Sequence, residues 1–310
     1  MPRTPLRTLP VYLLILIAVG LVAPWLVYPV LVAKLLCLAI FAMGFNLLVG
    51  QAGLLSFGHA MFFGAAAYVT AYTTKTWLWA PQVALLASIA VTALMGLIVG
   101  LLTIRRHGIY FAMMTLALAQ MVYFLCFHST LTGGDDGLSA VPRLALFGAL
   151  PLSDDRVLYH LVLVCFLATF ALTYRVVHSP FGQVMRAIRD NEVRATSLGY
   201  AVNRYKLIAF VLSAGIAGLA GALKVLVFQI ATLADVSWSI SGDVIFMALI
   251  GGIGTLFGPL LGAAAMLATQ SLLQGYSQWI PVLEGLIFIA AVLVLPKGLA
   301  GALQRKVNKP

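Results

Sequence analysis

One polar stretch decides how this chain is organised, and it reads SPFGQVMRAIRDNEVRATSLG from Ser179 to Gly199. Ser179 is suited to cap a helix, and Pro180 is suited to its first turn, where the missing N–H costs nothing. Apolar side chains then recur at i, i+3, i+4 and i+7, the spacing of one helix face. They are Phe181, Val184, Met185 and Ile188. The stretch therefore predicts an amphipathic helix, and Gly199 is a suitable residue to stop it.

The segments on both sides of this helix are too apolar for a soluble protein. Of the 310 residues, 62% are hydrophobic and only 9% are charged, whereas an ordinary soluble domain has about 25% charged residues. Apolar runs recur at nearly the length that a helix needs to cross a hydrocarbon core of about 30 Å. The chain therefore predicts an all-α polytopic membrane protein.

The apolar runs predict eight to ten transmembrane helices. Their approximate bounds are 9–27, 30–49, 50–68, 81–104, 109–127, 157–177, 207–230, a short segment around 250–254, 257–273 and 282–295. The third and the eighth are interrupted by glycines, and eight spans would remain if both were re-entrant. The first span follows two arginines, as a signal peptide would. The sequence Ala23-Pro24-Trp25 is a poor cleavage site, so we expect a retained helix.

The net charge of +10 reflects membrane topology and not a nucleic-acid partner. Of the nineteen Lys and Arg residues, fourteen fall in four places. These are Arg3 and Arg7, Arg105 and Arg106, the stretch 175–206, and the stretch 297–309. Cytoplasmic loops carry an excess of Lys and Arg, which places all four groups and both termini in the cytoplasm. Acidic, turn-rich loops around Asp135, Asp154 and Asp235 then fall on the outer side.

The helix from Ser179 to Gly199 lies on the cytoplasmic side in this topology, where two roles are open to it. It could rest on the membrane surface as an amphipathic helix, or it could dock a cytoplasmic protein. Asp190 and Glu192 favour docking, because a helix that only binds lipid gains nothing from acidic side chains beside anionic headgroups.

Two glycine-rich segments echo each other along the chain. Phe57-Gly58 followed by Gly64-Ala65-Ala66-Ala67 resembles Phe257-Gly258 followed by Gly262-Ala263-Ala264-Ala265. The second to fifth spans and the seventh to tenth spans also run in opposite senses, as an inverted-topology repeat requires. Broken or short helices in corresponding halves predict a translocation path at their interface. Tight helix packing is predicted in the seventh span by Ser213, Gly215, Gly218 and Gly221.

A few polar residues within the spans are candidates for this path. His59 either lines the path or is a hydrogen-bonded packing residue, and Gln120 within the fifth span is functional by default. Ser56 lies three residues before His59, but no nucleophile loop accompanies it, so a hydrolase is not expected. Lys224, late in the seventh span, predicts a side chain that reaches outward to the interface.

The chain lacks the motifs of several alternative classes. No GxxxxGK[ST] loop is present, so this chain is not expected to hydrolyse ATP, and an HExxH metal site is also absent. Three scattered cysteines predict neither a disulfide framework nor a metal site. Few acidic or basic residues lie within the spans, which argues against a proton-coupled carrier.

Five stretches in the correct order resemble the permease subunits of branched-chain amino acid ABC importers, closest to the LivM type. They are 50–68, Leu131-Thr132-Gly133-Gly134, 179–199, 213–223 and 251–259. The resemblance implies a single transmembrane permease domain over 1–310, of the type II-like ABC importer class. Within it, residues 178–206 would form a cytoplasmic coupling loop or helix, and residues 297–310 a cytoplasmic tail.

The resemblance also implies site residues. The coupling helix, which would sit in a groove of an ATPase subunit, comprises Arg186, Arg189, Asp190, Glu192, Ala195 and Gly199. The candidate translocation path comprises Gly50, Gly53, Ser56, Gly58, His59, Gly64, Gln120, Gly251, Gly252 and Gly254. Catalytic and metal-binding residues are not expected.

Several partners follow from the same resemblance. Two cytoplasmic ATPase subunits would bind ATP and Mg, so this chain would carry no cofactor of its own. A LivH-type second permease would form a heterodimer with it, and an external solute-binding protein would land on the outer acidic loops. The chain would lie in the bacterial cytoplasmic membrane and import leucine, isoleucine or valine. Urea or short amides are alternative substrates, and a stand-alone secondary amino acid transporter is the alternative from a different class.

Overall fold

The computed structural model describes residues 9–146, 148, 151–273, 280–294 and 298–301, and these are folded mostly as helices. The helices are Leu9–Leu26 (α1), Pro29–Leu47 (α2), His59–Thr76 (α3), Pro81–Thr103 (α4), Ile109–His128 (α5), Asp155–His178 (α6), Pro180–Asp190 (α7), Glu192–Ser197 (α8), Val202–Phe228 (α9), Trp238–Gly251 (α10), Gly258–Leu273 (α11) and Ile280–Val294 (α12). A π-helical turn, Leu48–Ala52, follows α2 directly. The terminal basic residues Arg3, Arg7, Lys297, Arg305, Lys306 and Lys309 lie outside the described residues, as does the predicted tail apart from 298–301.

The long helices have the length and composition of membrane spans. Five of them are long and apolar enough to cross a membrane, namely α2 with its π-helical turn, α4, α5, α6 and α9. Shorter apolar helices are formed by α1, α10 and α11. Large apolar side chains are exposed along the outer faces of α1, α4 and α5, more than a soluble monomer tolerates. The prediction of an all-α polytopic membrane protein is confirmed.

The centre of the bundle is α9, which packs along α2, α3 and α4. A Cβ at Gly218 would collide with a threonine of α4, and a Cβ at Gly221 would collide with the carbonyl oxygen of Phe63 in α3. These two glycines therefore allow the backbones to approach closely. Gly215 differs, because a Cβ there would lie 3.7 Å from Ile89, an ordinary contact. The predicted tight packing is confirmed at Gly218 and Gly221 and is wrong at Gly215.

The loops gather at two ends of the bundle. At one end, which we call the α7 end, α7 lies against the π-helical turn and α8 lies beside His107 of the α4–α5 loop. At the opposite end, Leu138 and Ala231 exchange two backbone hydrogen bonds of 2.9 Å. Arg143 donates there to the carbonyl of Leu226 at 3.0 Å. This grouping matches the predicted division of the loops between two membrane faces, and the assignment of the α7 end to the cytoplasm stays a prediction.

Both glycine-rich segments break their helices at the α7 end. The chain is not α-helical between α2 and α3, or in residues 252–257 between α10 and α11. The two breaks touch, since a Cβ at Gly50 would lie 2.7 Å from the Cα of Gly254. Helices α3 and α11 therefore leave the same end in the same sense. The broken helices are confirmed. The sequence echo relates segments of parallel direction, so it is not evidence for the inverted repeat, which stays a prediction.

The polar stretch forms two helices and not the single helix that its pattern predicts. Asn191 separates α7 from α8 with an extended backbone, at φ −158° and ψ 99°. Its side chain accepts a hydrogen bond from the N–H of Arg194 at 2.9 Å, and such a cap begins a new helix instead of continuing the old one. Ser179 caps α7 as predicted, by accepting from the N–H of Gly182 at 3.3 Å. Gly199, with φ +85°, follows the end of α8 as predicted.

An ion pair at the opposite end bears on two expectations. Lys224 reaches toward the end of the bundle as predicted, but its ammonium group is paired there: Nζ lies 2.6 Å from Oδ2 of Asp235 and donates to the carbonyl of Ile230 at 3.2 Å. The side chain of Asp235 is only 9% exposed. A carboxylate held in this way is not a free landing point for a partner protein. Asp135 and Asp154 remain exposed at this end.

Candidate coupling site and translocation path

The apolar stripe of α7 fixes this helix to the membrane domain. Met185 and Ile188 are buried, and Phe181 stacks on Tyr205 of α9 with ring centroids 5.6 Å apart. Gly182 lies so close to the last turn of α6 that a Cβ would meet its carbonyl oxygens. The predicted stripe is confirmed. Because it packs on protein, it is not available as the lipid-facing side of a membrane-surface helix.

Two arginines of α7 bind the glycine-rich end of α2. Arg186 donates to Oε1 of Gln51 at 2.9 Å and to a carbonyl at the end of α6 at the same distance. Arg189 donates to the carbonyl of Gly50, and its side chain passes directly over Gly53. Charge-assisted hydrogen bonds are roughly twice as strong as neutral ones. These contacts therefore attach α7 to the first helix break.

Glu192 connects α8 to two further elements. Its Oε2 lies 2.7 Å from Nζ of Lys206 in α9 and 3.3 Å from Nδ1 of His107. The side chain of Lys206 is only 4% exposed, and a charge so far from water requires a partner. The carboxylate of Glu192 therefore holds α8 against the central helix of the bundle.

A different set of side chains remains exposed on α8 and beside it. Val193 is 77% exposed and Leu198 is 71% exposed, and the side chain of Asp190 is 70% exposed. Of the residues expected in the coupling helix, Asp190 faces outward. The contacts that hold the helices to the membrane domain involve Arg186, Arg189 and Glu192, and Ala195 is buried.

Asn46 of α2 joins the two helix breaks, and sequence reasoning missed it. Its side-chain amide donates to the carbonyl of Thr255 at 2.9 Å and accepts from the N–H of Gly254 at 2.8 Å. These two bonds satisfy a buried amide together with a non-helical backbone segment. Gly254 has φ +77°, a conformation that favours glycine. The sequence feature that could have pointed to this role is an isolated asparagine within an apolar span.

Three of the candidate path glycines are points of close contact. A Cβ at Gly58 would collide with the carbonyl of Thr115, and a Cβ at Gly64 would lie 2.8 Å from the backbone N of Val236. Gly251 is packed in the same way against the start of α11. Backbones this close to one another require glycine. These positions therefore shape the helix breaks and the packing of α3 and α11.

The remaining candidates have varied surroundings. Gly53 lines an apolar cavity of about 500 Å³ together with Phe57 and the start of α5. Gly254 borders a small gap between α2 and the second break, and Gly252 ends α10 with φ +109°. Gln120 lies on the exposed face of α5. A second cavity, of about 200 Å³, lies at the opposite end among α2, α9, α10 and α11.

His59 is a core residue, which is the second of the two roles expected for it. It is fully buried, and its Nε2 lies 2.7 Å from Oγ of Ser213, whose hydroxyl donates to the carbonyl of Gly44 at 2.6 Å. A hydroxyl has one proton, so Nε2 of His59 is the donor to Ser213. Three phenylalanine rings surround the imidazole edge-on. Ser56 is likewise buried and accepts from the N–H of Gly58 at 3.3 Å.

A bundle of apolar helices that are broken at one end is a common architecture of membrane transport proteins. Residues 30–296 match a family model described as the permease component of branched-chain amino acid transport systems. The match covers most of the chain, and the chain belongs to this family. The resemblance expected from the sequence is thereby confirmed.

Individual relatives agree with this placement. The chain is 28% identical over 289 residues to the high-affinity branched-chain amino acid transport system permease protein LivM of Escherichia coli (strain K12), covering 84% of this chain and 67% of the relative. It is 32% identical over 229 residues to the autoinducer 2 import system permease protein LsrC of Klebsiella pneumoniae, and the match covers 70% of this chain and 63% of the relative. It is 27% identical over 141 residues to LivH of Escherichia coli (strain K12), and that match covers 45% of this chain and 46% of the relative. No solved structure matches the chain.

Proposed function

We propose that this chain is the permease subunit of an ATP-driven importer of branched-chain amino acids, and that α7 and α8 receive the movement of partner ATPases. The attachment of these helices to the helix breaks carries the proposal. Arg189 holds the end of α2 and Glu192 holds α9. Asn46 then links the first break to the second. A displacement of α7 and α8 would therefore act on the first break through Arg189, and on the second break through the link that Asn46 makes from α2.

The energy source lies outside the chain in this proposal. Residues 178–206 form the coupling loop of a single permease domain, and two cytoplasmic ATPase subunits bind ATP and Mg. Their contact surface includes Val193 and Leu198, and the exposure of both side chains supports this assignment. The α7 end and both termini then face the cytoplasm of a bacterial cell, with the chain in its cytoplasmic membrane.

Two further partners complete the importer. A second permease of the LivH type forms a heterodimer with this chain, which the family membership supports. An external solute-binding protein lands on the opposite end, where Asp135 and Asp154 are exposed and available to it. The candidate path residues retain their proposed role as the glycine-rich walls and hinges of the route, with the exception of His59 and Ser56, which are core residues.

The substrate class rests on the family and its relatives. Relatives named as branched-chain amino acid permeases support leucine, isoleucine or valine as the transported solute. One relative is named for the import of autoinducer 2, so the solute has to be decided by a transport assay. Urea and short amides are the alternative solutes within the same class of importer.

Reconstitution tests the proposal directly. The chain is expressed with its neighbouring genes, purified as a complex and placed in proteoliposomes with the solute-binding protein. Uptake of radiolabelled leucine should require ATP on the α7 side, and a non-hydrolysable ATP analogue should not support it. Leucine uptake by the chain alone under a sodium or proton gradient would refute the proposal, and preferential uptake of urea would correct the substrate.

Variants of the coupling residues separate coupling from assembly. Arg189→Ala and Glu192→Gln should each reduce uptake while the complex still hydrolyses ATP, because α8 would move without displacing the helix breaks. Arg105→Gln is a matched control, since Arg105 is an exposed arginine at the same end. Full transport by both coupling variants would remove the proposed role of α7 and α8.

A further inference from the structure

Helix α5 presents a face that the rest of the described chain leaves uncovered. It is the least buried of the five helices that are long and apolar enough to cross a membrane. Exposed side chains recur along it at i, i+4, i+7 and i+11, the spacing of one helix face. They are Met113, Ala117, Gln120 and Phe124, and we call this set the α5 face. In a membrane, such a face meets either lipid or another protein.

A side-chain amide lies in the middle of the α5 face. Gln120 is near the centre of the 20 residues of α5, and it is exposed and has no hydrogen-bond partner among the described residues. A glutamine amide carries two donors and an acceptor oxygen, and hydrocarbon tails can pair with none of them. Glutamine side chains within membrane spans form hydrogen bonds between helices. The position of Gln120 therefore favours a helix of another subunit over lipid.

Helix α4, which precedes α5 in the chain, has an exposed face of different composition. All of its exposed side chains are aliphatic, namely Val83, Leu86, Ala90, Val91, Leu94, Leu97, Ile98, Leu101 and Leu102. In the middle third of each of the five spans, the exposed side chains that the structure describes are likewise apolar, apart from Gln120. Contacts between membrane helices are enriched in small and polar residues. The α5 face has both, in Ala117 and Gln120, whereas α4 has the surface that lipid tails require.

An apolar cavity adjoins the α5 face at the α7 end. Its volume is about 500 Å³, and Met113, which is 63% exposed, belongs both to the face and to the cavity wall. Leu55 and Phe57 of the first helix break form another part of the wall. A recess of this kind can receive an apolar side chain that projects from a partner, as the anchor residues of protein interfaces do. The face thus offers a polar contact at its centre and an apolar recess at one end.

We propose that the α5 face binds the second permease of the importer, and that the amide of Gln120 forms a hydrogen bond with that subunit. The inference rests on the proposed function, which requires two permeases side by side in the membrane. It gives the second permease a defined place on this chain. It also puts the first helix break beside the junction of the two subunits, because Leu55 and Phe57 line the adjoining cavity.

Site-specific photo-crosslinking in membranes tests this interface. A photo-reactive phenylalanine derivative is placed at Phe124 in the importer, expressed with all of its subunits, and the matched control carries the same probe at Leu86 of α4. The two positions are 61% and 67% exposed, and both lie near the end of the bundle opposite α7. We expect Phe124 to crosslink to the second permease and Leu86 not to. Crosslinks from Phe124 to lipid alone, or equal crosslinking from both positions, would overturn the interface.

Replacement of Gln120 tests the hydrogen bond. Gln120→Leu should raise the dissociation constant of the two permeases by about threefold to thirtyfold, the effect of losing one polar contact between membrane helices. Energy transfer between labelled permeases in vesicles, at several protein-to-lipid ratios, measures this constant. Ala90→Leu puts the same side chain on the exposed side of α4, and it should leave the constant unchanged. Equal dissociation constants in Gln120→Leu and the wild type would overturn the role of the amide.

The outcomes distinguish the interface from the function on which it rests. If Phe124 crosslinks to the second permease in a complex without ATP-driven leucine uptake, the interface stands and the proposed function fails. If the complex takes up leucine with ATP while Phe124 crosslinks to lipid alone, the interface is overturned and the function stands. A complex that transports leucine without any second permease overturns the interface and the heterodimer together.

Discussion

Replacing Glu192 by glutamine removes the charge that neutralises Lys206 while keeping the size of the side chain. Breaking a buried ion pair costs about 3–5 kcal/mol, whereas an exposed pair contributes about 0–1 kcal/mol. The side chain of Lys206 is 4% exposed and that of Glu192 is 31% exposed. The cost therefore lies between the two limits, at about 2 kcal/mol. Because α8 has only six residues and a helix this short is unstable alone, the loss falls on the docking of α8.

Hydrogen exchange of the α8 amides measures this loss. A cost of 2 kcal/mol corresponds to about 30-fold in the opening equilibrium. Peptides that cover α8 should therefore exchange about 30-fold faster in Glu192→Gln than in the wild type, by mass spectrometry in lipid nanodiscs. Adding Lys206→Met should recover most of the protection, because the unpaired buried cation is then gone.

An exposed acidic residue nearby provides the matched control. Asp190 pairs with its neighbour Arg189 and its side chain is 70% exposed, so Asp190→Asn should change exchange by less than about threefold. If α8 exchanges at the wild-type rate in Glu192→Gln, or if Asp190→Asn accelerates exchange equally, the buried pair does not hold α8 to the bundle.

Three further outcomes follow from the packing and the topology. Gly221→Ala should lower the melting temperature of the complex in detergent, because its Cβ would collide with a backbone carbonyl of α3. Gly215→Ala in the same helix should leave the melting temperature unchanged or slightly higher. Equal changes in the two variants would contradict the packing of α9. Ser213→Ala removes the partner of a buried histidine Nε2–H and of a carbonyl, so it should cost about 2 kcal/mol and also lower the melting temperature. With the native cysteines replaced, Leu198→Cys should react with a membrane-impermeant thiol reagent only from the cytoplasmic side and Leu131→Cys only from outside; the reverse pattern would invert the topology.

Local features of the polar stretch could be predicted from the sequence because they depend on neighbouring residues. Ser179 caps α7, and the residues that share its apolar face contact the protein core. The separation of α8 was missed because the helical pattern continues across Asn191. The side chain of Asn191 competes for the backbone there and caps a new helix.

Contacts between distant segments could not be predicted, since spacing along the chain does not specify which elements meet. The pairing of Lys224 with Asp235 depends on the turn that follows α9, and the position of the lysine alone suggested an outward side chain. A glycine-rich context fits either a path-lining or a buried His59, and only the hydrogen bond to Ser213 distinguishes the two. The role of Asn46 required knowledge that both helix breaks meet at one end.

Site-specific photo-crosslinking tests the central claim, that α8 is the point at which partner ATPases act on this chain. A photo-reactive amino acid at Leu198, which is 71% exposed, is activated in the assembled importer, with the same probe at Leu131 as the control. We expect Leu198 to crosslink to an ATPase subunit and Leu131 not to. Crosslinks from Leu198 to lipid or to the second permease alone would contradict the claim.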